Sequence, residues 1–352
     1  MKIVLINNVP EIWGLGKYSF KLYESLNKKA DVVNFYMDFE NKKVVINGKS
    51  IKLPKSFLLH NKISFIWMSM KYLPEAEIYH LTSQNLSFII PIIKNKYKKA
   101  KMVVSCHDIY RYKKPKNSFY FLISKFLYSG LKKADAIISS TNSTKIDLVK
   151  YFKIDTKKIY TVNLASDNLK KIDKKLARKK LGLPLNSKLI MHIGRIGSNW
   201  KNTYRTIKAV ESLKNKNLFL IKIGEGEDKS PNVINLYKVS DEEMVLLYNA
   251  SDLLAAILTY DITSLPIMEA IKNKLPVVAS KTSSIVEISG NAPYYVNAFD
   301  IKDISRGIKL VLEDKKLRQS MIKKGLEIGK ELTWENTAKQ TLEIYKRIKN
   351  YD

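Results

Sequence analysis

The chain of 352 residues contains one cysteine, four histidines, seven arginines and no apolar run of membrane length. Cys106 alone can form no disulfide within the chain, which suits a reducing, cytoplasmic setting, and no charged-then-apolar leader precedes the first strand pattern. The longest apolar stretches, LSFIIPII at 86–93 and FYFLIS at 119–124, fall far short of the ~20 residues a membrane helix needs. No segment is expected to span a bilayer. His60, His80, His107 and His192 show no metal-ligand spacing with each other or with Cys106. No Asp-x-Asp motif occurs, and EGED at 225–228 reads as an acidic turn, so no metal cofactor is expected. Acidic residues are also scarce, 33 against 62 basic ones, for a net charge of +29. Such a balance invites nucleic acid, an anionic membrane or a phosphorylated substrate. Only seven of the basic residues are Arg, whereas readers of base edges lean on Arg, and no nucleic-acid module is present. A basic nucleic-acid-binding protein is therefore the remote reading, and no nucleic-acid partner is expected.

What is present is a regular alternation. Apolar runs of strand length, among them KIVLINN at 2–8, DVVNFYM at 31–37, IYHLTS at 78–83, KMVVSCHD at 101–108 and AIISS at 136–140, are separated by helical patterns. That order indicates an α/β fold with a parallel sheet covered by helices on both faces. Residues 166–187 are polar and Lys-rich, with Gly182 and Pro184, before a second series begins with KLIMHIGR at 188–195 and continues through LFLIKIG, VINLYK, LLAAILTY, PVVAS and YYVN. Three helical stretches close the chain. Two doubly wound domains in tandem are expected, 1–166 and 167–332, each with its ligand crevice at the carboxyl ends of its strands.

Four constellations fall at such ends. Gly14 and Gly16, followed by Lys17, lie at the first strand-to-helix turn, where glycines let backbone amides approach an anion or sugar, or simply allow a tight turn. His107 and Asp108 end a strand, His107 being a group able to work near neutral pH or a buried histidine satisfied by a loop carbonyl. HIGRIGSNWKN at 192–202 brings a glycine loop, Arg195 and Lys201 to one strand end before a helix, which is a diphosphate site in chemical terms. Asp261 and Glu269 lie in TYDITSLPIMEA, and an acidic residue near a phosphate site commonly holds ribose hydroxyls.

Together these segments resemble the retaining glycosyltransferases of family 4, which have the GT-B fold of two Rossmann-like domains facing across a cleft. The resemblance runs nearly end to end. GLGK at 14–17 is similar to the family's glycine loop, VVSCHD to its His-Asp strand, and LIMHIGRIGSNWKN to its phosphate-binding Gly-Arg and Lys-Asn element. VSDEEMVLLYNASDLL is similar to the stretch lining the nucleobase pocket, and Asp261 to Glu269 falls on a motif of two glutamates separated by seven residues. LTWENTAKQTLEIYKRI implies that a C-terminal helix, 333–352, crosses back onto the acceptor-binding first domain. The sequence departs from the family at Asp261, at Ile262, Thr263 and Ser264 in place of Gly-Phe-Gly, at Tyr237, and at Lys274 where a glycine is usual.

The resemblance implies transfer of a hexose from a UDP- or GDP-linked donor to a glycan or lipid-linked acceptor, with retention and without metal. It implies catalytic roles for His107, Asp108, Arg195, Lys201 and Asp261, and donor contacts from Gly14, Gly16, Arg195, Lys201, Val239, Ser264, Leu265 and Glu269. An inverting reaction would instead use His107 with Asp108 as base. The departures leave a second reading, a weakly active or inactive nucleotide- or glycan-binding relative. Residues 1–170 carry 30 basic and 12 acidic residues, the larger share of the excess. Within them, the basic and aromatic stretch 94–131 is either an amphipathic face for an anionic membrane or a helix packed into the first domain. A peripheral position on the cytoplasmic membrane face is the corresponding expectation.

Overall fold

The computed structural model describes residues 1–350 except 12–13, 54–60, 199 and 261–263. It divides into two units, one formed by Met1–Leu164 with Trp334–Asp352 and the other by Ala165–Thr333.

The first unit is built on β1 (Lys2–Asn7), β2 (Asp31–Asp38), β3 (Lys43–Ile46), β4 (Lys49–Lys52), β5 (Ile78–Leu81), β6 (Lys101–Cys106), β7 (Ala136–Ser139) and β8 (Ile159–Thr161). Among the described residues they form one sheet in the order β4-β3-β2-β1-β5-β6-β7-β8. The pairs from β2 through β1 to β8 are parallel. Five of the six residues of β1 and all of β5 and β7 are buried, as unbroken apolar runs in a sheet covered on both faces require. The sheet is not parallel throughout: β3 and β4 form an antiparallel hairpin on its edge. Their two-residue turn, Asn47 and Gly48, has φ of 46° and 83°, the conformation Asn-Gly adopts most readily. Phe35, Phe65, Leu86, Val104 and Ile137 lie in the core of this unit.

The second unit contains β9 (Lys188–Ile193), β10 (Leu218–Ile223), β11 (Val233–Leu236), β12 (Leu253–Ala256), β13 (Val277–Ser280) and β14 (Tyr294–Val296), in the order β11-β10-β9-β12-β13-β14 with parallel pairing. Its core joins Ile190, Leu220, Leu253 and Val278 of the sheet to Ile207, Ile304 and Ile308 of the helices Thr203–Ser212 and Ile301–Glu313. Burying each such side chain is worth about 1.5–3 kcal/mol.

In each sheet the chain runs outward from one central strand and then returns to its other side. The order reverses between β1 and β5 and between β9 and β12, so each unit has a crevice at the carboxyl ends of those strands. The helix Trp334–Lys349 returns to the first unit and packs along the helix Gly14–Asn27.

Candidate active site

At the crevice of the second unit, β9 ends at Ile193 and the chain turns through Gly194, Arg195, Ile196 and Gly197. The Gly194 amide donates to the Ile223 carbonyl at 2.9 Å and the Ile196 amide to the Glu225 carbonyl at 2.8 Å, which fixes this loop against the one following β10. A Cβ on Gly194 would lie 2.4 Å from Thr203 Oγ1 and 2.7 Å from His192 Nε2, so only glycine lets the loop sit this close to the next helix. That helix, Thr203–Ser212, is preceded by Lys201 and by Asn202 in the left-handed region at φ 56°, a position asparagine tolerates. Asn202 Nδ2 donates to the Ala298 carbonyl at 2.6 Å and locks the turn.

Two cations stand here in different states. Arg195 is exposed and lies 3.8 Å from the Glu225 carboxylate, a loose pair able to exchange for a better anion. Lys201 is half-buried, its ammonium 4.5 Å from the Trp200 ring centre, with no carboxylate among the described residues paired to it. Desolvation pulls its pKa down to about 8. An ammonium held this way is stabilised by any anion that reaches it. His192 lies beneath the loop. Burial, opposed by its hydrogen bond to the Ala255 carbonyl, lowers its pKa to about 4, so it is neutral and serves as scaffold.

Lys222 is a member of this site that sequence reasoning missed. It points inward from β10, is buried, and its Nζ donates to the carbonyl of Gly224 at 2.6 Å and to that of Gly226. Both glycines have positive φ. Lys222 thereby ties down the loop that carries Glu225. A lysine inside LFLIKIG was the available signal.

Glu269 is buried on the helix Leu265–Lys272, and Tyr248 Oη donates to its Oε2 at 2.7 Å. Ser264 is buried and precedes that helix, with Leu265 at its first turn. Val239 is half-buried just before Ser240, which caps the helix Asp241–Ala250 through a reciprocal bond with Glu243. Arg195, Lys201, Val239, Ser264, Leu265 and Glu269 therefore all follow carboxyl ends of the second unit's strands. Asp261, with Ile262 and Thr263, lies outside the described residues.

At the crevice of the first unit, His107 follows β6. It is buried, with Nε2 3.1 Å from the Thr82 carbonyl. A carbonyl only accepts, so Nε2 carries the proton and Nδ1 presents a lone pair, with no partner among the described residues. Burial lowers the His107 pKa to about 4. Asp108 does not pair with it: Oδ1 accepts from the Tyr110 amide at 2.7 Å, and burial raises the carboxyl's pKa. The His107-Asp108 pair that an inverting reaction could use as base is not formed, because the carboxylate caps its own loop and the imidazole faces Thr82. Tyr18 packs edge-on against His107 with ring centres 4.6 Å apart, bringing the helix that begins at Gly14 beside it. At Gly16 a Cβ would lie 1.8 Å from the Pro10 carbonyl oxygen, so this glycine makes room for the chain's own backbone.

Among the described residues, no group of three or more His, Cys, Asp and Glu stands together as a metal site. None of the described helices is long and apolar enough to cross a membrane.

Two family models match the chain. Residues 14–165 match the model described as Glycosyltransferase Family 4, and residues 173–327 that described as Glycosyl transferases group 1. An O-antigen chain mannosyltransferase B of Escherichia coli is 34% identical over 110 residues, covering 31% of this chain and 29% of that protein. A D-inositol 3-phosphate glycosyltransferase of a Nocardioides species is 24% identical over 249 residues, covering 61% of this chain and 54% of the relative. The chain thus spans about half or less of the length of these curated relatives. Among solved structures, an Anabaena protein in complex with UDP-glucose superposes with a TM-score of 0.79 at 14% identity, covering 99% of this chain and 100% of that one. The sucrose-phosphate synthase of Thermosynechococcus elongatus superposes with a TM-score of 0.78 at 16% identity, with both chains fully covered.

Proposed function

Because the chain belongs to the group 1 glycosyltransferases of family 4 and has their GT-B fold, we propose that it moves a hexose from a UDP- or GDP-linked donor to a glycan or lipid-linked acceptor, with retention of configuration and without a metal ion. The observation that carries this reading is Lys201, a desolvated ammonium before a helix N-terminus and beside a glycine loop at the crevice of the second sheet. The solved complex of the Anabaena neighbour with UDP-glucose supports a nucleotide-sugar donor.

Breaking the bond between the sugar and the diphosphate moves negative charge onto the departing phosphate oxygen. Lys201 and Arg195 lie where that charge would collect, and stabilisation that grows toward the transition state lowers the barrier. Two cations supply what a divalent ion supplies elsewhere. Glu269, to which Tyr248 donates, is the acidic residue that in this reading accepts from ribose hydroxyls. His107, buried and neutral with Nε2 donating to the Thr82 carbonyl, suits a positioning role beside the sugar or acceptor rather than proton transfer. Its low pKa and the absence of an Asp108 partner make it a poor general base, which supports retention over inversion. In a retaining transfer the leaving phosphate draws the acceptor proton from the same face of the sugar.

Incubation with a panel of UDP- and GDP-hexoses and acceptor extracts, with and without EDTA, tests the reading. The expected result is nucleoside diphosphate release unaffected by EDTA, with an α-product from an α-donor by NMR. A β-product contradicts retention, loss of activity in EDTA contradicts metal independence, and inertness toward every donor favours a binding protein without turnover.

A further inference from the structure

The second unit has a cavity that the donor crevice does not include. It holds about 380 Å³, within the range of small-molecule sites. It lies at the amino ends of the strands: Lys188 opens β9, Asp252 precedes β12 and Pro276 precedes β13, and all three line it. Arg195 and Lys201 follow the carboxyl end of β9, so the two places lie at opposite ends of one sheet. Its other cations come from three helices. Lys174 opens the helix Lys174–Lys180, Lys274 stands just past the end of Leu265–Lys272, and Arg318 is in the first turn of Lys315–Gly329.

The polar side chains of the cavity other than its cations are already engaged. Asp252 Oδ1 pairs with Lys174 at 2.9 Å, and its Oδ2 accepts from Arg178 and from the Leu189 amide, both at 2.8 Å. The Asn249 and Asn273 side chains each accept from one backbone amide and donate to two carbonyls. Ser251 donates to the Leu247 carbonyl and Tyr248 to Glu269. Three cations are left over. No carboxylate among the described residues pairs with Lys188, Lys274 or Arg318, and Arg318 uses one guanidinium nitrogen, Nη1, on the carbonyls of Val311 and Leu312. With Lys174 set against Asp252, the cavity carries a net of three positive charges. The helices Asp241–Ala250, Leu265–Lys272 and Ile301–Glu313 end beside it, and each carbonyl end contributes about half a negative charge. Some 1.5 negative charges, roughly, leave the cavity positive. Lys274 stands there at φ 63°, where glycine would have lower energy, and residues held in such conformations cluster at ligand sites.

We propose that this cavity binds a small phosphate-bearing molecule, with Lys188, Lys274 and the remaining guanidinium nitrogens of Arg318 donating to its oxygens. The ligand class follows from the donor set. Two ammonium groups and a guanidinium offer donors only, and they come from three separate elements. A tetrahedral phosphate presents several oxygens in different directions and can meet all three, whereas a carboxylate has two oxygens in one plane. A nucleic-acid strand would need a basic groove that tracks its backbone, which one cavity of this size does not supply. The site needs no donor sugar, so it and the transferase reading can each fail without the other.

The test is titration calorimetry with inorganic pyrophosphate at about 150 mM salt, where diffuse surface charge is screened beyond about 8 Å. The protein is the full chain carrying Arg195→Gln and Lys201→Gln, which removes the cations of the donor crevice. The expected result is that one binding site per chain remains. Adding Lys274→Gly or Lys188→Gln is expected to weaken it about tenfold or more, the effect of losing one charge-assisted hydrogen bond. Lys309→Gln, at an exposed lysine outside the cavity, is expected to change it less than about twofold. Lys274→Gly relaxes a strained turn, so its unfolding midpoint is expected not to fall, and its lost binding then reports the side chain rather than the fold. Absence of binding in the donor-crevice variant overturns the proposal. Unchanged affinity in either Lys274→Gly or Lys188→Gln overturns it as well. Equal losses in Lys309→Gln also overturn it, since they leave only general attraction to a basic protein.

Discussion

Lys201 combines a burial cost and a function in one side chain. Its folded-state pKa of about 8 lies below the 10.5 of a free lysine, so folding disfavours the charged form. That cost to stability is present below about pH 8 and disappears as pH rises toward 10.5. Anion binding runs the other way, being complete where Lys201 is charged and weakening as pH climbs through 8. UDP affinity is expected to fall about tenfold or more between pH 7 and pH 9.5 by calorimetry, with no such fall in Lys201→Gln. Lys274 is a second residue whose conformation and chemistry disagree. The helix Leu265–Lys272 ends with the Leu275 amide donating to the Ala270 carbonyl, and Lys274 takes the left-handed turn between them at φ 63°. The family resemblance expects glycine there, and the backbone still has glycine's conformation. Lys274→Gly is expected to stabilise the protein by about 0.5–1 kcal/mol in denaturant unfolding, part of the gain being offset by unfolded-state entropy.

At the scale of elements, the strands and helices that position the site could be read from the sequence because the strands are mostly apolar runs of strand length separated by helical patterns. The edge hairpin was missed although Asn47-Gly48 signals it, since KKVVI and KSIK are too polar and short to stand out as strands. The site residues after β9 were legible because glycine and paired cations at a strand end have few other uses. The orientation of His107 was not, since the adjacent Asp108 suggested a partner that the loop turns away. Lys222 escaped notice because its partners are backbone carbonyls, which no side-chain pattern marks. Lys222→Met is expected to leave those carbonyls unpaired, costing about 1–3 kcal/mol of stability and weakening donor binding by loosening the loop at Glu225. Unfolding and UDP titration of this variant measure both effects. The helix Trp334–Lys349 is tied to its sheet by a buried chain in which Tyr345 Oη meets His80 Nδ1 at 2.5 Å, His80 Nε2 meets Ser105 Oγ at 2.8 Å, and Ser105 Oγ meets Tyr18 Oη at 2.8 Å. Burial lowers the His80 pKa to about 3, keeping it neutral. Tyr345→Phe removes one end of this chain and is expected to lower stability by about 1–3 kcal/mol.

Across the whole molecule, the excess of 29 positive charges resolves into parts with separate physical meanings. Arg195 and Lys201 stand at a strand-end crevice in the second unit, Lys222 holds a loop inside it, and the lysines around the helix Ser118–Leu127 rim an exposed apolar stripe in the first. The return of the last helix to the first unit was implied by the family resemblance of LTWENTAKQTLEIYKRI, while the alternation of apolar runs and helical patterns along the sequence indicated the two parallel sheets. The central claim is that the two cations of the second unit stabilise a departing nucleoside diphosphate. It is tested most directly by single-turnover release of UDP or GDP from the preferred donor in the wild type, Arg195→Gln and Lys201→Gln, with thermal unfolding as a check on the fold. The account predicts that each variant remains folded and loses about 100-fold or more in the rate of bond cleavage, with a smaller effect on donor affinity. Folded variants that cleave the donor at the wild-type rate would contradict it.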